Sequence, residues 1–277
     1  MTPTFPWRFA APVHPLVRLI PAFTDNYFWL LRSPQGRQAV VVDPGDSAPV
    51  LDALSQDGLQ LTAILLTHHH ADHAGGVADL IERTGAAVYG PAIEAIPGVS
   101  QAVAGGDRVD PGLGGANALT LAVPGHTRGH VAYLFDRLGD DPRPLLFCGD
   151  TLFAGGCGRV FEGTPAQMLQ SLDSLAALAA DTLVYCAHEY THSNLRFAQA
   201  AEPDSVEVEQ RLAECVQMRQ DSWATVPSTI AIERASNPFL RVGEPGIVRS
   251  LTERLDRPPR DRVDAFTALR EWKNVFK

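Results

Sequence analysis

The sequence predicts an α/β domain followed by a smaller helical domain, on three observations. Over the first two thirds of the chain, short β-branched and apolar runs alternate with turn residues and helical stretches. From about Tyr190 the texture changes to amphipathic, helix-forming segments separated by proline-bearing loops. The 277 residues suffice for one large domain with an appendage. The expected division is 1–189 and 190–277.

Taken in order, Val17–Pro21, Tyr27–Leu31 and Ala39–Asp43 read as strands, with turns at Asp25-Asn26 and Pro34-Gln35-Gly36 between them. Ala48–Gln56 reads as a short helix. Thr62–Thr67 is continuously apolar in its middle and reads as a buried strand, with a helix over Ala74–Arg83 after it. Leu119–Val123, Val131–Phe135, Leu145–Cys148 and Leu183–Cys186 are further strands, and Pro165–Leu178 is helical before the last. Ser193–Ala201, Ser205–Asp221 and Asp264–Phe276 supply the C-terminal helices. In the last of these, Phe266, Leu269, Trp272 and Phe276 form one apolar stripe, while Arg270 and Lys273 are surface neighbours three residues apart.

Composition narrows the function classes. No run of eighteen apolar residues exists, so no membrane span is expected. Met1 to Phe23 has no apolar core of a secretory leader. Four scattered cysteines without a CxxC pair suit a reducing compartment, and the cytoplasm is expected. A net charge of −9 argues against nucleic-acid binding, though a few local cations still suffice for a small anion.

The chemistry concentrates in Thr67-His68-His69-His70-Ala71-Asp72-His73, directly after the strand Thr62–Leu66. While the backbone stays extended, His68 and His70 project to one side, and Asp72 and His73 fall at the following turn. A solvated histidine-rich turn is the bland alternative, but this cluster is internal and sits at a strand–helix junction. Three more strands end in a ligand-capable residue: His126 in Pro124-Gly125-His126-Thr127, Asp150 in Gly149-Asp150-Thr151, and His188 in Ala187-His188-Glu189. Sites in α/β sheets gather outside strand ends, so the recurrence points to one cavity. Seven ligands result, enough for two ions that share a carboxylate.

This combination resembles the metallo-β-lactamase superfamily, whose signature is THxHxDH. The resemblance implies an αββα sandwich with metals at one edge. It implies that His68, His70 and His126 hold one divalent ion, that Asp72, His73 and His188 hold the other, and that Asp150 bridges. His69 has no metal role in that scheme. Further segments narrow the resemblance: Ile20 to Tyr27, Gly149 to Arg159, Phe161-Glu162-Gly163-Thr164, His188-Glu189-Tyr190-Thr191, Asn237-Pro238-Phe239-Leu240-Arg241 and Arg270-Glu271-Trp272-Lys273. They look like the glyoxalase II, or hydroxyacylglutathione hydrolase, family, from about Leu16 to the end of the chain. By that resemblance Arg159, Phe161, Tyr190, Arg270 and Lys273 grip glutathione. Arg159 stands where the eukaryotic pattern has lysine, and Phe161 where it has tyrosine, which removes one hydroxyl contact. Without the resemblance, these cations would be ordinary solvated groups and the two aromatics core or rim residues.

The reaction so implied is hydrolysis of S-(2-hydroxyacyl)glutathione, such as S-D-lactoylglutathione, to glutathione and D-lactate, the second step of methylglyoxal detoxification. Zinc is the expected metal, with iron or manganese open. Asp72 and Asp150 are expected to help hold the hydroxide nucleophile, since zinc lowers the pKa of water from 15.7 to roughly 7. The leaving thiolate has a parent pKa near 8.5 and needs no strong acid. No GxSxG elbow offers another nucleophile. Two alternatives are an iron oxidoreductase of the persulfide dioxygenase kind and a non-catalytic metal-binding protein. A monomer acting on a small molecule, without nucleic acid or membrane, is expected.

Overall fold

The computed structural model describes residues 14–276. The leader expectation rests largely on residues 1–13, which lie outside the described residues.

The chain builds its first sheet from β1 (Val17–Ala22), β2 (Asn26–Arg32), β3 (Gln38–Val42), β4 (Gln60–Leu65), β5 (Ala87–Pro91) and β6 (Gln101–Val103), in that spatial order. The first three strands are antiparallel, and β3 to β6 run parallel. Parallel neighbours require crossovers, supplied here by α1 (Ala48–Asp57) before β4 and by α2 (Ala71–Ala74) and α3 (Val77–Thr84) before β5. The second sheet has the order β14-β13-β10-β9-β8-β7. Its strands are β7 (Arg108–Leu113), β8 (Ala116–Ala122), β9 (Val131–Phe135), β10 (Leu145–Gly149), β13 (Leu183–Cys186) and β14 (Ser228–Thr229). A two-residue hairpin, β11 (Leu152–Phe153) with β12 (Gly156–Cys157), leaves β10 before α4 (Pro165–Ala176).

Strand side chains alternate between faces, and the two cores follow that alternation. Trp29, Leu31, Val40 and Val42 share a buried cluster with Tyr133, Phe135 and Phe147 of the second sheet. Phe28, Leu30, Val41 and Ile64 face outward beneath Val50, Leu54 and Leu80 of α1 and α3. A strand buried on both faces needs apolar residues throughout, which is why β2 reads as a nearly continuous apolar run. On the other side, Met168, Leu169 and Leu172 of α4 join the inter-sheet cluster. The result is an αββα sandwich. α4 starts with a full capping box, Thr164 with Gln167, and proline at its first turn.

After β13 the chain continues through α5 (Thr191–Ala201), α6 (Val206–Gln220), α7 (Ile230–Ser236), α8 (Pro245–Leu255) and α9 (Arg262–Val275). The aromatic stripe of α9 packs into a ring cluster: Phe197 lies 5.3 Å from Trp272 and 5.9 Å from Phe239, which is 5.8 Å from Phe266. Edge and offset contacts at such spacings add to the area buried.

Several expectations need correction. The helix expected over Ala74–Arg83 is two helices, because Gly75-Gly76 interrupts it, and Asp72 and His73 lie within the short α2 rather than in a turn. The strand expected over Thr62–Thr67 ends at Leu65, because Asp43 takes over the backbone N–H of Thr67. Asn26 starts β2 instead of sitting in a turn. The C-terminal stretch is not purely helical, since β14 pairs with β13. Strand β7 was unforeseen; its Pro111 is tolerated because β7 is an edge strand. Helix α8 was hidden by the Glu244-Pro245-Gly246 start.

Candidate metal centre and substrate cleft

At the end of β3, Asp43 adopts a left-handed conformation and turns its carboxylate onto the neighbouring chain. Its Oδ1 accepts from the Thr67 backbone at 2.8 Å and its Oδ2 from the Thr67 hydroxyl at 2.7 Å. This bond ends the β4 ladder and releases His68 and His70 into a bend, where they still converge. Gly45 lets α2 close in, since a Cβ there would meet the Asp72 carbonyl oxygen at 2.0 Å.

Two sets of donor atoms result. His68 Nε2 lies 3.0 Å from His70 Nδ1, which lies 3.1 Å from His126 Nε2, and Asp150 Oδ2 is 3.4 Å from His126 Nε2. In the second set, Asp72 Oδ2 is 3.4 Å from His73 Nε2 and 3.5 Å from His188 Nε2. Asp150 Oδ1 lies 3.5 Å from the same atom of His73 and 3.3 Å from that of His188. Tetrahedral donors about 2.0–2.1 Å from zinc stand roughly 3.3 Å apart, so both sets have the spacing of a coordination shell. Asp150 offers one oxygen to each.

Four of the five remaining ring nitrogens are fixed from behind. His68 Nδ1 meets the Thr67 hydroxyl at 3.0 Å, His126 Nδ1 the Arg159 carbonyl at 2.9 Å, His73 Nδ1 Asp43 at 3.1 Å, and His188 Nδ1 Asp25 at 2.8 Å. Such partners orient metal-binding histidines and set which nitrogen faces the metal. His73 Nε2 and Asp150 Oδ1 are buried and have no hydrogen-bond partner. Buried polar atoms without partners are costly, and an ion between them would satisfy both. The residues therefore fit a pair of divalent ions.

The two sets differ in the charge behind them. Burial lowers the pKa of His68, His70 and His126, which are backed by neutral groups or other imidazoles. Burial would also lower His73 and His188, but Asp150, with Asp43 behind one and Asp25 behind the other, outweighs it and pushes both up. Burial likewise opposes the charge on Asp150, yet His73 and His188 hold its carboxyl far below the usual range. The hydrogen bond to His73 does the same for Asp72.

Beside this edge lies a cavity of about 520 Å³. His126 and Asp150 of the donor sets line it together with Arg159, Phe161, Tyr190, Arg270 and Lys273. Tyr190 stacks on His188 with centroids 4.7 Å apart, and the exposed Phe161 lies 5.2 Å from His126. Lys273 Nζ donates to the Ser193 carbonyl at 3.0 Å, and burial followed by Arg270, Arg196 and Arg159 pulls its pKa down to about 8. Arg270 is buried and donates through Nη1 to the Cys157 carbonyl at 2.8 Å. The hairpin carrying Cys157 is held throughout by the C-terminal helices: Asn194 donates to the Ala154 carbonyl, Glu233 accepts from Gly155, and Asn237 donates to the Gly156 carbonyl.

Residues 23–188 match the metallo-beta-lactamase superfamily, and residues 189–276 match the hydroxyacylglutathione hydrolase C-terminus. The hydroxyacylglutathione hydrolase of Pseudomonas syringae pv. syringae is 50% identical over 261 residues, spanning 94% of this chain and 99% of that one. The chain belongs to the hydroxyacylglutathione hydrolase family. Among solved structures, ETHE1 from Myxococcus xanthus superposes with a TM-score of 0.62 at 28% identity, covering 92% of this chain and 97% of that one. TTHA1623 in a di-iron-bound form gives 0.53 at 26% identity, covering 84% of this chain and 100% of that one.

Of the residues singled out from the sequence, His68, His70, Asp72, His73, His126, Asp150 and His188 converge on one edge of this hydroxyacylglutathione hydrolase fold. Sequence reasoning missed His130. Its ring is fully buried and stacks on His68 at 4.7 Å, and its Nε2 accepts from the Asp150 backbone N–H at 3.1 Å. A signal existed: Gly129-His130 repeats Gly125-His126 four residues on. Asp43 and Asp25 were seen only as a strand end and a turn, although they hold His73 and His188.

Proposed function

We propose that this protein hydrolyses S-(2-hydroxyacyl)glutathione, with S-D-lactoylglutathione as substrate and glutathione and D-lactate as products. The observation that carries this reading is one cavity lined both by His126 and Asp150 of the two-ion donor set and by the cations Arg159, Arg270 and Lys273. His68, His70 and His126 would hold one ion and Asp72, His73 and His188 the other, with Asp150 between them. Zinc suits the imidazole and carboxylate donors, and iron does too, as the di-iron relative illustrates. When bound, such a pair supplies a nucleophile from water near neutral pH and polarises the acyl carbonyl.

The protein's own groups do the rest. Asp72 and Asp150 stay ionised at neutral pH because the imidazoles around them stabilise the charged form. Lys273 and Arg159 face the anionic end of the peptide, and Phe161 and Tyr190 flank its path into the site. Arg270 contributes chiefly through the loop: by fixing Cys157 it fixes the Arg159 carbonyl, which orients His126. The thiolate leaves without a strong acid, since its parent pKa is near 8.5. Residues 1–189 would thus carry the chemistry and, through Arg159 and Phe161, part of the grip on glutathione, with 190–277 supplying the rest, in a cytoplasmic monomer. No helix among the described residues is long and apolar enough to cross a membrane.

The test is hydrolysis of S-D-lactoylglutathione with metals counted on the same sample. Two bound ions with no thioester turnover would refute the reading. Oxygen consumption with a single iron would favour the oxidoreductase alternative instead.

A further inference from the structure

His69 was set aside as a residue without a metal role, yet it is held as the inner histidines are. Its Nδ1 lies 2.9 Å from Glu94 Oε2, and the Glu94 side chain is only 4% exposed. The other Glu94 oxygen accepts from the Gly129 backbone at 3.0 Å and from the Thr127 hydroxyl, so the carboxylate is fixed. With Nδ1 turned to Glu94, the other ring nitrogen, Nε2, points away from it. There it meets Glu162 Oε1 at 3.3 Å. The spacing repeats that of the inner donor pairs, and donor atoms of His69, His70 and Glu162 all lie within 4.8 Å of one another. Unlike the inner sets, this one is open: the side chains of His69 and Glu162 are each 35% exposed.

We infer that His69, Glu162 and His70 form an outer, third site for a divalent transition ion such as zinc, and that its occupancy slows turnover. The donor types suit a borderline ion, and the buried carboxylate behind His69 is the arrangement that orients histidines toward metals. Exposure leaves room for waters to complete the shell, so this ion binds more weakly than the inner pair. His70 already faces the first inner set through Nδ1. An outer ion therefore shares or withdraws an inner ligand. Glu162 also follows Phe161 at the cleft, so its capture disturbs the same rim. The inhibitory part rests on the two-ion hydrolase reading; the binding part does not.

Protein holding two ions is titrated with zinc alone, counting ions per chain after dialysis and following lactoylglutathione hydrolysis in parallel. The wild type should take up a third equivalent, with the rate falling over the same concentration range. His69→Ala and Glu162→Gln should keep two ions and the starting rate, and need about ten- to a hundred-fold more zinc for the same loss. A wild type that stops at two ions overturns the site. Equal zinc sensitivity of wild type and both variants overturns it as well. Because ions are counted independently of turnover, a failure of the hydrolase reading leaves a third equivalent visible.

Discussion

Around His73 three carboxylates, those of Asp43, Asp72 and Asp150, come within 3.5 Å of its ring nitrogens, whereas across the cavity Lys273 sits among Arg270, Arg196 and Arg159. The responses are opposite. The carboxylates outweigh burial and push the His73 pKa up, while burial and the neighbouring cations pull Lys273 down to about 8. One wall is short of positive charge and the other of negative charge. Metal ions answer the first and a carboxylate the second, so a ligand spanning the cavity must be anionic at the end far from the metals. The comparison also separates the kinetics: changes on the metal wall should cost metal and kcat, and changes on the cation wall should cost KM.

The sharpest break of that division is Asp150→Ala. It removes an oxygen from both donor sets and leaves His73 and His188 facing one another without their shared carboxylate. We expect fewer than two ions per chain and a fall in kcat on the order of 10³-fold or more, the scale seen when one member of a cooperating set is lost. Metal analysis with steady-state kinetics checks this. Two retained ions with near-normal kcat would remove Asp150 from the bridge.

The metal wall was legible because its ligands follow strands or open the short helix after one, and the strands are strongly patterned. The tight corner Thr67–His73 keeps its donors close in sequence, so type and spacing alone identify it. What supports that corner was not legible. Asp43, Asp25 and Glu94 act through contacts of long sequence separation, each a lone carboxylate in an unremarkable segment. His130 carried a local cue, but the stacking on His68 that gives it meaning exists only after β9 pairs into the sheet. On the cation wall the α9 stripe predicted the helix, yet not that Arg270, while lining the cavity, also reaches the Cys157 carbonyl, whereas Lys273 bonds Ser193. Helical spacing makes the two neighbours without saying which one reaches the hairpin.

Next in size is Asp43→Asn, which keeps the shape and the left-handed backbone that asparagine also tolerates, but removes the charge behind His73. Loss of an orienting carboxylate lowers metal affinity by about ten- to a hundred-fold. The loss should fall on the ion of Asp72, His73 and His188, leaving one tight ion in chelator competition. Equal weakening of both ions would mean that Asp43 acts through Thr67 and His68 instead.

On the cation wall, Lys273→Ala should raise KM for lactoylglutathione about tenfold with kcat kept, since a charge-assisted bond at a half-exposed site is worth roughly 1.5 kcal/mol. A thioester lacking the glycyl carboxylate should show no change. Arg270→Ala should behave differently, lowering kcat on both substrates because it frees Cys157 and the His126 support behind it. Identical profiles for the two variants would erase the distinction between them.

The smallest effect tests Lys273 without a mutation. Its pKa is depressed to about 8, first by burial and then by Arg270, Arg196 and Arg159, so its charge is present below that pH and lost above it. A carboxylate binds the charged form. KM should therefore rise with pH, by roughly fourfold between pH 7 and pH 8.5 for a group titrating alone near 8. The dependence belongs to the free enzyme, so kcat/KM falls while kcat stays level. Added salt should flatten the rise, because it screens both the carboxylate contact and the neighbouring cations that depress the lysine. The Lys273→Ala variant supplies the control: its KM, already raised, should be level over the same interval. A wild-type KM that is level too would mean that the anionic end of the substrate is held by the permanently charged arginines, and the cation wall would then be Arg159 and Arg270 rather than Lys273.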